Sequence, residues 1–274
     1  MKPIFSTWHV IVVTIGAYAL FFVFAMSALT GGNPFVAVFS LLLPVVIIVA
    51  PILYINRQVK IITQLSDIYY PEKKVKALKG FLTRNTYKFS LPGNKQLRRY
   101  ALTLLAAAYL SHGDYAAAYT SCGELQRFLP KNFHKKDKLN SNDVAYYAVL
   151  IETLLHLGKF ERAESAVKEL QGKAFSDVAA VCLSKYIYAY YLFCAEENSA
   201  AYEILCQLKP ELYTQKEKLK ETYYAALLLE ARIDKLEDRK NEAFAKFNDI
   251  AENSHNYKFN VIARGELEYW TTRF

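Results

Sequence analysis

Signatures of chemistry are missing from these 274 residues. There is no G-x-G-x-x-G, no phosphate-cradling glycine loop, no H-E-x-x-H and no G-x-S-x-G, so the commonest dinucleotide, nucleotide, zinc-peptidase and hydrolase sites have no foothold. The 4 cysteines, Cys122, Cys182, Cys194 and Cys206, form no C-x-x-C pair and have no histidine at ligand spacing. A zinc site is therefore not expected, and buried reduced thiols are. Of the 5 histidines, His112 and His156 fall near helix ends beside Gly113 and Gly158, where an imidazole suits the terminal carbonyls. The carboxylates are scattered among basic residues, with no pair set apart as acid and base. No catalytic residue, metal or cofactor is expected.

Charge is absent from the start of the chain. Lys2 is the sole ionised side chain before residue 56. Within that stretch, residues 8–29 and 35–55 are two uncharged apolar runs of 22 and 21 residues, joined by Thr30, Gly31, Gly32, Asn33 and Pro34. At 1.5 Å per helical residue each run matches a hydrocarbon core of about 30 Å. The expectation is a transmembrane hairpin over residues 1–56, and a cleaved signal peptide fits less well because a second run follows at once. With no Asp, Glu, Lys or Arg in either run, transport is not expected of it.

The cations that are present fix an orientation. Residues 55–99 hold a net +9 of the chain's total of +8, the remainder being near balance. Arg57, Lys60, Lys73, Lys74, Lys76 and Lys79 follow the second run while the link is uncharged, which predicts cytoplasmic termini and an integral inner- or plasma-membrane protein. The same six residues are the candidate contacts to anionic headgroups. A second segment, 57–94, includes PEKKVKALKGFLTR from Pro71, either a basic helix on lipid or the first packing helix of the following domain. Nucleic acid is not the expected partner, since the basic excess sits in that one segment.

Residues 95–274 read as an all-α domain of helices about 10 to 20 residues long. Helix starts are marked by Asp114, by Ser141 with Asn142 and Asp143, and by Ser176 with Asp177. The connection 131–138, KNFHKKDK, reads as a solvated basic loop. An alanine followed seven residues later by an aliphatic residue recurs as Ala118 and Leu125, Ala163 and Leu170, Ala201 and Leu208, and Ala243 and Ile250. The intervals of 45, 38 and 42 residues predict repeated helical hairpins, with a terminal helix near Asn260–Thr272 as a cap.

The first unit carries a resemblance. Leu105, Ala106, Tyr109, Gly113, Asp114, Tyr115, Ala118 and Pro130 fall on positions of the tetratricopeptide pattern, and the second unit keeps Leu150, Gly158, Phe160, Ala163, Val167 and Leu170. The chain thus resembles a degenerate tetratricopeptide-like solenoid. That resemblance implies a concave groove, lined by the first helix of each hairpin, that holds a peptide or protein. Tyrosine pairs recur on those helices at 146/147, 190/191 and 223/224. Tyr147, Tyr191 and Tyr224 are the candidate partner-binding residues, because tyrosine combines rigid area with a hydrogen-bonding tip. The expected function is a membrane-anchored, non-enzymatic adaptor, with a subunit of a larger membrane complex as the alternative and an enzyme with an unrecognised site a distant third.

Overall fold

A computed structural model describes residues 34–85 and 94–271, together with 16, 18–22, 24–26 and 31. The chain divides into two compact units, one of residues 1–67 with 80–101 and the other of 68–79 with 102–274.

In the first unit, α1 (Pro34–Ser66) is a single long helix that continues through position 56, where the sequence suggested a boundary. The first expected span, residues 8–29, and the turn after it lie mostly outside the described residues. The transmembrane hairpin and the integral-membrane location are corrected: among the described residues, no helix is long and apolar enough to cross a membrane. The side chains described in α1 are those of residues 49, 50 and 52–66, and that stretch is two-faced, with Ile55 and Ile62 buried and Val49, Leu53, Arg57 and Lys60 exposed. An apolar run measures length and lack of charge. It does not say whether the side chains meet lipid or protein.

Helix α2 (Pro71–Asn85) opens on a proline, as a first-turn residue should. It buries Leu78 and Phe81 and leaves Lys73, Lys76 and Lys79 exposed, with Lys74 half-buried. Residues 71–79 belong to the second unit, where the Lys79 ammonium lies over the Tyr109 ring at 5.2 Å and Lys73 over Tyr70 at 4.9 Å. This stretch is a packing helix with a basic outer face.

The rest of the second unit is a helical array: α3 (Asn94–His112, shared between the units), α4 (Tyr115–Gln126), α5 (Ser141–His156), α6 (Phe160–Gln171), α7 (Val178–Cys194), α8 (Asn198–Thr214), α9 (Lys220–Leu236), α10 (Lys240–Asn253) and α11 (Tyr257–Thr271). Helices α5 with α6, α7 with α8 and α9 with α10 pack as hairpins, and each odd-numbered helix from α5 also packs on the next. All eight residues of the alanine and aliphatic repeat are buried, and each pair lies on a second helix, α4, α6, α8 or α10. The alanines let the helix backbones approach, and the aliphatic residues fill the seam two turns on.

The repeat is also written in the backbone. Gly113, Gly158, Glu196 and Asp238 all have positive φ, at 84°, 68°, 64° and 60°. At each, the next residue's N–H returns to a carbonyl five residues back: Asp114 to Tyr109 at 3.0 Å, Lys159 to Leu154 at 2.9 Å, Glu197 to Leu192 at 2.9 Å and Arg239 to Asp234 at 2.8 Å. These are four copies of one Schellman closure, each five residues before the repeated alanine. Glycine fits that conformation freely, while a side chain there costs on the order of 1–2 kcal/mol. Glu196→Gly and Asp238→Gly are each expected to raise stability by about 1 kcal/mol in urea titrations, and Gly113→Ala to lower it.

The cap residues are Asp114, whose carboxylate accepts from Ala117 N, and Asp177, which accepts from Ala180 N. At α5 the cap is Asn140, in a reciprocal capping box with Asp143, one residue before the serine expected. The connection 131–138 is exposed at six of its eight residues, as a solvated loop is, but it is anchored at Phe133 and Lys136. Phe133 is fully buried, its ring 5.7 Å from that of Tyr147 and stacked at 18°, while Lys136 bonds Asp143 at 3.2 Å. Two short strands, β1 (Lys138–Leu139) and β2 (Ala174–Phe175), pair in parallel just ahead of successive first helices, a pairing no alternating pattern announced. Helix α11 packs on α10 and α9, as a cap does.

Candidate functional site

The first helices, α3, α5, α7 and α9, present one face each to a common cavity of about 340 Å³, and α11 closes it with Phe259 and Ile262. Its floor is apolar, alanines beside larger aliphatics: Ala107 on α3, Ala145 and Ala148 on α5, Leu183 and Ile187 on α7, and Ala225, Leu228 and Leu229 on α9. Its polar groups sit on the same helices at helical spacing, Glu152 and His156 on α5, Tyr186 and Tyr190 on α7, and Glu221 and Arg232 on α9.

These groups are largely committed to one another. The Lys258 ammonium of α11 donates to Glu152 Oε1, and His156 Nε2 lies 3.8 Å from the same oxygen. The His156 imidazole stacks on Tyr115, with centroids 4.3 Å apart and planes 6° from parallel, and its Nε2 is 3.4 Å from the Tyr190 hydroxyl. The Asn256 amide donates to Glu221 at 3.1 Å. Arg232 has no carboxylate within ion-pair distance among the described residues.

Burial alone would raise the pKa of Glu152, but Lys258 and His156 outweigh it and pull the carboxyl down to about 2. Its contribution to stability is therefore fully present above the ordinary carboxyl value of 4.5 and is lost as the pH falls through about 2. A ¹³C titration of the Glu152 carboxyl is expected to show no protonation between about pH 5 and about pH 3, and Glu152→Gln to flatten the acid limb of the stability curve. Burial pushes the Tyr186 and Tyr190 hydroxyls well up, with Glu152 adding to the effect, so both stay protonated hydrogen-bond donors.

None of the three tyrosines singled out from the sequence lines this cavity. Tyr147 is buried, its hydroxyl donating to Glu169 Oε1 at 2.6 Å. Tyr224 is buried edge-on against Tyr223, and Tyr191 is half-buried. On α7 the groove takes the other member of the pair, Tyr190, and on α5 and α9 it takes neither. Sequence reasoning missed Glu152, Arg232 and Lys258, and it placed His156 as a helix cap when its ring is a wall of the groove.

A second cavity of about 300 Å³ lies on the other side of α5, against α4 and α6, and Tyr147 lines that one. There Arg162 donates to the Tyr119 hydroxyl at 2.6 Å, and His134 Nδ1 lies 2.8 Å from Glu169. Burial pushes the Cys122 thiol up to about 12, so it is inert as a nucleophile. Cys182 is likewise buried, whereas Cys194 is half-buried and Cys206 exposed, and all four are free. Among the described residues no cluster of His, Cys, Asp or Glu is arranged to hold a metal.

No protein-family model matches the chain, and no curated protein or solved structure was found to be similar to it.

Proposed function

We propose that the chain is a non-enzymatic adaptor or scaffold, of tetratricopeptide-like build, whose groove on the first helices holds a segment of a protein partner. The observation that carries this reading is the groove itself: four consecutive first helices and a terminal helix turn apolar residues and tyrosines toward one cavity. Its titratable groups support a binding role over catalysis, because Glu152 is held ionised by Lys258 and is in no position to exchange protons near neutral pH. The turn and alanine register, repeated four times, supports the tetratricopeptide-like build.

A photo-crosslinking residue placed at Leu183 in the groove of the full-length protein is expected to capture a discrete partner in cells. The same residue at exposed Glu203 on α8 should not. Equal capture from both positions, or none from either, would count against a binding groove.

A further inference from the structure

The groove's formal charges balance, Glu152 and Glu221 against Arg232 and Lys258, but they are not all paired off. Glu152 is taken up by Lys258 and His156, while Glu221 accepts from the neutral Asn256 amide. Arg232, on the face of α9 that lines the cavity, keeps its guanidinium free of any carboxylate among the described residues. It lies close enough to Tyr186 and Tyr190 to act on their ionisation, as does Glu152, whose effect on both is the larger. The adjoining wall is apolar, with Leu228, Leu229 and Ile187.

Resting on the reading of this cavity as a peptide groove, we propose that it selects a partner segment bearing an aspartate or glutamate beside an apolar residue, the carboxylate docking on Arg232. A guanidinium offers a planar fork of donors matched to a carboxylate, and its weak hydration favours pairing in a partly buried groove. The carboxylate is a side chain and not a chain end. Nests of free backbone N–H groups are one device for capturing a terminal carboxylate, and this groove offers none, being walled by the sides of helices whose N–H groups are bonded within the helix. At about 340 Å³ the cavity lies near the lower end of ligand sites, about 300–1,000 Å³, so only a few residues enter it.

The test is a selection of random heptapeptides on the full-length protein, run with one library fused at its C-terminus and another ending in a free carboxylate. Peptides that crosslink to a probe at Leu183 are carried forward. The expected winners from the fused library hold Asp or Glu next to an apolar residue. Changing that Glu to Gln should weaken binding about tenfold or more. Arg232→Gln should erase the difference between the two peptides, and Arg232→Lys should keep part of it. Should Arg232→Gln not fold, the Glu and Gln peptides on the native protein decide alone. Groove-bound winners indifferent to the Glu-to-Gln change would overturn the acidic preference and leave the groove standing. Acids enriched solely at free C-termini would overturn the side-chain assignment. No groove-bound peptide from either library would overturn both the preference and the adaptor reading.

Discussion

Asp234→Ala is expected to destabilise the protein by about 3–5 kcal/mol, the range for removing one partner of a buried ion pair. Asp234 is fully buried on α9, where its carboxylate accepts from Arg239 Nε at 2.7 Å and from the Lys246 ammonium of α10. Lys246 also lies 2.9 Å from Glu230, which in turn bonds Lys209 of α8 at 3.1 Å. Three helices are thus tied through two carboxylates, and losing Asp234 leaves a half-buried ammonium with one partner in place of two. Urea unfolding followed by circular dichroism measures the loss. Burial would lower the pKa of Lys246, but its bonds to Asp234 and Glu230 outweigh this and raise it. That share of stability is present below the ordinary lysine value and lost as the pH rises through the raised one. In Asp234→Ala the alkaline loss of stability should begin at lower pH.

Phe133→Ala should cost a similar amount, about 3–5 kcal/mol, the usual penalty for emptying a buried phenylalanine site. The ring is fully buried and contacts Tyr146 and Tyr147 of α5 at 5.6 and 5.7 Å between centroids. Its loop leads directly into β1, so the effect should spread. The Ala174 and Ser176 amides, which donate to Asp137 and Leu139 at 2.9 and 2.8 Å, should exchange hydrogen faster in the variant. Phe133→Leu, which keeps most of the volume, should lose much less. Unchanged exchange at those amides would show that the loop is held without the ring.

The hairpin repeat was legible because it depends on local chemistry. A small residue at each helix seam and a cap at each start are one-residue requirements, and Ala118, Ala163, Ala201, Ala243, Asp114 and Asp177 meet them in plain sight. The third and fourth turns were harder to see, since Glu196 and Asp238 carry a positive φ without the glycine that announces it. The groove was only half legible. Helical period shows which residues share a face, yet not which face turns inward, and one position along a helix rotates a side chain by 100°: Tyr190 and Ala225 line the cavity where their neighbours Tyr191 and Tyr224 do not. Phe133 was hidden by its charged neighbours, which gave its loop the composition of a solvated one. The membrane hairpin was inferred from apolar length, lack of charge and the cations that follow, and a helix packed in protein can share all three.

The contact between the residue 68–70 segment and the last helix bears on how the second unit comes apart. Tyr69 lies edge-on to Tyr257 at 5.4 Å, and its hydroxyl accepts from Asn260 at 3.3 Å, across 191 residues of chain. Lys258 reaches back 106 residues to Glu152. An open solenoid, bonded from neighbour to neighbour, can fray one repeat at a time from its ends. Here the last helix is fastened to the earliest segment of the unit and to its middle, so fraying at that end also breaks contacts far along the chain. The unit should melt as a single cooperative block, and fold more slowly than its helical content alone would suggest.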